Sequence, residues 1–104
     1  MDDNSIIELF NARSEDAVSA LSEQYGALCR KTAGNILTDG RDIEECLKDT
    51  FLCIWNRIPP ERPSSLKAFV CRIVKNTALK RVERESALIS LHRYMLKLIG
   101  KTIL

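Results

Sequence analysis

Apolar residues recur three and four positions apart along most of this chain, and no stretch alternates apolar with polar, so the pattern predicts helices and no strand. A first helix is expected over Ser5–Arg13, with Ile6, Leu9 and Phe10 facing inward. Ser14 is placed to cap a second helix, because Glu15 and Asp16 behind it suit a helix N-terminus. That helix is expected to reach about Leu37, with Val18, Leu21, Tyr25, Leu28 and Ile36 on one stripe. Gly26 and Gly34 inside it each cost about 1 kcal/mol relative to alanine, which the close approach of another helix would explain.

Thr38-Asp39-Gly40 breaks the pattern, and a third helix is expected over Asp42–Trp55 with Asp42 as its cap. Its core stripe reads Ile43, Cys46, Leu47, Thr50 and Ile54, and its outer stripe reads Glu45, Lys48, Asp49, Leu52 and Trp55. The outer stripe begins polar and ends apolar. That fits either burial of Leu52 and Trp55 beneath a loop or contact with a partner. Three prolines in Asn56–Pro63 stop the helix, and Ser64 or Ser65 restarts one that runs to Arg84. Its inner stripe is Leu66, Phe69, Val70, Ile73 and Thr77, while Arg72, Lys75, Asn76 and Lys80 gather outside, with Arg84 a further turn along. From Ser86 the chain turns apolar, with Leu88, Leu91, Met95, Leu98 and Ile99 at helical spacing, either prolonging the fourth helix or folding back as a fifth. The expectation is an all-α protein: a compact bundle of four helices over residues 1–85 plus a C-terminal helical tail over residues 86–104. The predicted core is Val18, Leu21, Leu28, Leu47, Ile54, Phe69 and Ile73.

Charge changes the picture more than composition does. The 104 residues, 45% apolar and 29% charged, suit one small folded domain. The net charge of +2 hides a split, because residues 1–58 carry six bases and eleven acids whereas residues 59–104 carry ten bases and three acids. The fourth helix, Ser64–Arg84, holds six bases and a single acid, the electrostatic footprint of a polyanion-binding surface. The acid-rich third helix would be repelled by nucleic acid, so a second protein is its expected partner. No apolar run is long enough to span a bilayer and the start Met1-Asp2-Asp3 is acidic, so a cytoplasmic protein with no membrane partner is expected.

Catalytic and metal chemistry find little support. Cys29, Cys46, Cys53 and Cys71 form no C-x-x-C pair, His92 is remote from all of them, and each cysteine sits in an apolar-periodic segment as a small core residue would. With one histidine, no phosphate-cradling loop and no nucleophile–base pair, no enzyme, metal or cofactor is expected.

Three segments, LSEQYGALCRKTAGNIL, DIEECLKDTFLCIW and SSLKAFVCRIVKNTALKRV, together resemble region 2 of bacterial RNA polymerase sigma factors, in particular the extracytoplasmic-function type, over roughly residues 15–84. The resemblance implies that the third helix docks on the clamp helices of the polymerase largest subunit through Glu45, Lys48, Asp49, Leu52 and Trp55. It implies that the loop Arg62–Ser65 (Arg62, Ser64 and Ser65 among it) and Lys67, Phe69, Arg72, Lys75, Asn76 and Lys80 recognise or melt the −10 promoter element and hold flipped bases of the melted strand, with Phe69 as a stacking surface where exposed. An anti-sigma factor is a further partner the resemblance admits. The pattern departs at Cys71, where the family often has an aromatic residue, and at Lys80, where it often has Asp. The sequence also carries no region 4, the domain that reads the −35 element. A transcription initiation module is therefore the leading expectation. The alternatives are a truncated sigma-like module that binds polymerase without directing initiation, and a stand-alone DNA-binding repressor.

Overall fold

A computed structural model describes residues 1–103 of the chain, with Leu104, the last residue of the expected tail, outside the described residues. Four helices follow one another: α1 (Asp3–Asn11), α2 (Asp16–Gly34), α3 (Gly40–Arg57) and α4 (Leu66–Ile103), and no strand occurs among the described residues. α4 packs against both α2 and α3, α3 packs on α2, and α1 closes the end of the bundle against α2.

The helix starts follow capping chemistry. Asp2 accepts a 2.7 Å hydrogen bond from the Ser5 amide and so caps α1 two residues earlier than the apolar pattern alone suggested. Ser14 Oγ accepts from the Asp16 amide at 3.2 Å, but the cap position of α2 is Glu15, which makes no side-chain capping bond, so Ser14 is not the cap expected there. For α3 the cap is Asp39, which accepts from the Arg41 amide at 2.7 Å, and not Asp42. Asp42 lies one turn inside, where its carboxylate accepts two hydrogen bonds from Arg81 of α4 at 3.2 and 3.3 Å. That pair pins the two helices together at a half-buried position.

The core is one contiguous cluster. α1 contributes Ile6, Ile7 and Phe10; α2 contributes Ala17, Leu21, Tyr25, Cys29 and Ala33; α3 contributes Cys46, Leu47, Thr50 and Ile54; α4 contributes Leu66, Phe69, Val70, Ile73, Val74 and Ala78. The stripe of α2 is centred differently from the sequence reading: Val18 and Leu28 are only half-buried, and α2 ends at Gly34, so Ile36 lies beyond it. Leu21 and Tyr25 of the expected stripe are buried, and the small Ala17, Cys29 and Ala33 complete it where α2 lies against α3 and α4. The glycines are not sites of tight helix approach. A side chain at Gly26 would meet Ser22 Oγ of its own helix at 3.3 Å, and one at Gly34 would meet Ile43 at an ordinary 3.8 Å.

The buried hydroxyls of Thr50 and Tyr25 find partners, one within its helix and one between helices, whereas the buried Asn11 Nδ2 has no hydrogen-bond partner among the described residues. Thr50 donates back to the Cys46 carbonyl at 2.8 Å, and Tyr25 donates its phenol to Asp3 at 2.7 Å, tying α2 to α1. Burial, aided by that hydrogen bond, pushes the Tyr25 phenol up to about 12, and burial pushes the Cys29 thiol up to about 11.

The apolar tail continues α4 and does not fold back. Residues 83–100 are exposed, and the molecule measures 66 Å along its longest axis against 25 and 22 Å across. A radius of gyration of 18.3 Å exceeds the roughly 13 Å of a compact chain this size because one end of a 38-residue helix stands clear of the bundle.

Candidate nucleic-acid interface

The segment between α3 and α4 builds a cleft because its prolines deny it regular structure while its ends are held firmly. At the α3 end the Ile58 amide returns to the Ile54 carbonyl at 3.0 Å and Ile58 itself is fully buried; the Glu61 amide then reaches the Arg57 carbonyl at 2.9 Å. At the α4 end Ser65 takes the Ala68 amide on its hydroxyl at 3.2 Å, making it the helix cap. Between these anchors Glu61, Arg62, Pro63, Ser64 and Ser65 form one wall of an open cleft of about 500 Å³, and Ala68, Phe69 and Arg72 of α4 form the other.

The cleft is lined by charged and hydroxyl side chains (Glu61, Arg62, Ser64, Ser65 and Arg72) together with the apolar Pro63, Ala68 and Phe69. Arg57 bonds Glu61 one turn away, with a second contact of 3.0 Å, and lies 4.9 Å from the centre of the Phe69 ring. The arginine bond holds the Glu61 carboxyl below its usual range and raises the Arg57 guanidinium further. Arg62 forms an ion pair with Glu8 of α1, so this expected DNA contact is partly neutralised from within the chain. Arg72 supplies positive charge to the cleft from α4.

The expected site residues divide by location. Arg62, Ser64, Ser65, Phe69 and Arg72 line the cleft together. Lys75, Asn76 and Lys80 are exposed further along α4, whereas Lys67 is exposed but does not line the cleft. Phe69 is only 4% exposed, so its ring belongs to the core as the inner stripe of the fourth helix predicted, and the exposure that a stacking surface requires is not there. On α3, Lys48, Asp49 and Leu52 are exposed, Glu45 is half-buried, and Lys48 stands 3.7 Å from Glu45 across one turn. Leu52, at 58% exposure, is a large apolar side chain with nothing over it. Trp55 departs from the outer stripe. It packs against Phe10 with ring centres 6.1 Å apart, and the Arg13 guanidinium covers its face at 3.7 Å. A smaller cleft of about 170 Å³ joins the two expected surfaces, with Asp49 of α3 beside Thr77, Lys80, Arg81 and Arg84 of α4.

Arg13, Arg57, Glu61 and Arg81 were invisible as site candidates in the sequence. Glu61 and Arg57 stand four apart across a proline break, and Arg13 and Arg81 act on partners about forty residues distant, so no local spacing announces them.

The sequence signature of sigma-70 region 2 matches residues 21–88, about two thirds of the chain, spanning most of α2, α3, the cleft and the bundled part of α4. The chain belongs to the sigma-70 region 2 family. Comparison with curated proteins and with solved structures finds no match. Sigma region 2 in general serves transcription initiation by binding RNA polymerase and melting promoter DNA, and is a non-enzymatic transcription-factor domain. Among the described residues of this sigma region 2 domain, no helix is long and apolar enough to cross a membrane.

Proposed function

We propose that this is a sigma region 2 domain of the extracytoplasmic-function type, working in the cytoplasm, whose two surfaces serve two partners. The outer stripe of α3, with Glu45, Lys48, Asp49 and Leu52, docks on the clamp helices of the polymerase largest subunit. Trp55 contributes there only through the part that Arg13 leaves open. The loop around Arg62, Ser64 and Ser65, together with Arg72, Lys75 and Asn76 of α4, takes up the melted −10 strand, while Lys67 and Lys80 attract its phosphates. Residues 1–85 form the working domain, and 86–104 are an appended helical tail.

The observation that carries this reading is the cleft between the Glu61–Ser65 wall and α4. Extruding a base costs a few kcal/mol in lost stacking, so a melting protein needs a recess that receives the base with hydrogen-bonding groups at its rim. Two serines and two arginines beside the apolar Pro63, Ala68 and Phe69 meet that need, and the basic face of α4 continues from the cleft toward Lys80. On this reading the domain prefers single-stranded −10-like DNA over duplex, because an unpaired strand no longer carries the melting cost.

Fluorescence anisotropy with single- and double-stranded probes across a salt series tests it. Asn76→Ala should reduce sequence preference, and Lys80→Ala should lower affinity for every sequence and shrink the salt slope by about one. Equal affinity for promoter-like and scrambled strands would sink the reading.

A further inference from the structure

Arg13 is the only non-glycine residue with a left-handed backbone among the described residues, at φ 56°. It sits in the turn between α1 and α2, where its amide reaches the Phe10 carbonyl at 3.0 Å and the following Ser14 amide reaches Leu9 at 2.9 Å. Glycine adopts such a backbone without steric cost and arginine does not, so the side chain must offset what the backbone loses.

The side chain reaches across to the far end of α3. Nη1 donates to the Trp55 carbonyl at 2.7 Å and to the Ile58 carbonyl at 2.9 Å, while the guanidinium lies over the indole of Trp55. The first carbonyl belongs to the last turn of α3, among those that a helix leaves without an internal partner, and a cation there also suits the helix dipole. The second opens the segment that becomes the cleft wall. Glu8, five residues before Arg13, holds the same segment again through its ion pair with Arg62. The end of α1 and its turn therefore grip the loop at both Ile58 and Arg62.

We propose that Arg13 is a positioning residue for the cleft: it sets the path of residues 58–65 and with it the sequence preference for the melted strand, without touching DNA itself. The proposal rests on the promoter-reading role given to the cleft above. Arg13→Gly is the informative variant, because glycine accepts the left-handed turn and removes only the grip. Arg13→Lys keeps the charge and loses the flat group that covers the indole.

The full-length chain is tested against a fluorescein-labelled single strand enriched from a randomised pool on the wild type, and against a scrambled version of that strand. Arg13→Gly should keep a cooperative melt by circular dichroism yet bind the enriched strand about five- to tenfold more weakly, as expected for loss of a charged hydrogen-bonding group. Binding to the scrambled strand should change by less than about twofold, because a positioning group adds nothing to the sequence-independent phosphate attraction. Trp55 is the single tryptophan, so its emission should change as the guanidinium leaves, and amide exchange at Glu61 should quicken while the middle of α3 stays protected. Arg13→Lys should not restore the preference. Full rescue by lysine would reduce Arg13 to a phosphate-attracting charge, and an undiminished preference in Arg13→Gly would remove its positioning role; either result overturns the proposal while the cleft reading stands. A wild type with no preference between the strands overturns both. Should Arg13→Gly fail to fold, Arg13→Lys is judged by the same readouts.

Discussion

Replacing Phe69 by leucine separates a core residue from a stacking platform. The ring is 4% exposed, with the Arg57 guanidinium 4.9 Å from its centre. Leucine keeps most of the buried volume, so the loss should be about 1–1.5 kcal/mol for imperfect repacking, with about 0.5–1 kcal/mol more for the cation–π contact. At the 4–8 °C per kcal/mol usual for domains of this size, the melting temperature should fall by roughly 6–20 °C. Phe69→Ala should cost about 3–5 kcal/mol, a large part of the 5–15 kcal/mol that stabilises an ordinary domain. DNA binding should respond quite differently. If a base stacked on Phe69, removing the ring would forfeit about 1–3 kcal/mol, or roughly five- to 150-fold in affinity. With the ring buried, Phe69→Leu should change single-strand affinity by less than about threefold at a temperature where the variant is fully folded. Thermal melts by circular dichroism and anisotropy on the same samples decide the matter. A tenfold or greater loss of DNA affinity with an unchanged melt would refute the placement of Phe69 in the core.

Leu52→Ala should leave stability within about 0.5 kcal/mol, since the side chain is exposed, yet weaken binding to isolated clamp helices by roughly five- to thirtyfold if it is the apolar centre of that contact. Asp49→Lys should do the same by charge reversal, and a pull-down indifferent to both changes would remove α3 from the docking role. A chain ending at Glu85 should melt within a few degrees of the full chain, because residues 83–100 are exposed along the free part of α4; a collapse of the melt would show that the tail belongs to the core. Alkaline titration should destabilise the fold. The Tyr25 phenol and Cys29 thiol are raised by burial to about 12 and about 11, so the unfolded chain releases their protons first, and stability present below pH 9 declines as pH climbs toward those values. Tyr25→Phe should flatten the upper part of that decline in urea titrations at stepped pH, and an unchanged profile would mean that Tyr25 ionises without hindrance in the folded chain.

The helical fold was legible because it rests on local information. The spacing of Cys46, Leu47, Thr50 and Ile54 on α3, and of Leu66, Phe69, Val70 and Ile73 on α4, encodes burial through helix geometry alone, and these residues are indeed inside. The prolines of Asn56–Pro63 marked the break, Ser64 or Ser65 marked the new helix start (the structure selects Ser65), and the exposed basic face of Arg72, Lys75, Asn76 and Lys80 follows from the same period. Tertiary packing decided what local pattern could not. Which of two aspartates caps α3 depended on Arg81, nearly forty residues away, drawing Asp42 into an ion pair. Whether Trp55 faced a partner or the core depended on Phe10 and Arg13 arriving from α1 and the turn after it. Which residues flank Leu21 and Tyr25 on the inner stripe of α2 depended on two helices closing over it, which favoured Ala17, Cys29 and Ala33 over Val18 and Leu28. The cleft belongs to the same class, since its two walls come from different sides of a proline break and its loop is held by residues of α1. Periodicity reports which face of an element is apolar; only the assembled neighbours determine which atoms that face meets, because those contacts join residues far apart in the chain.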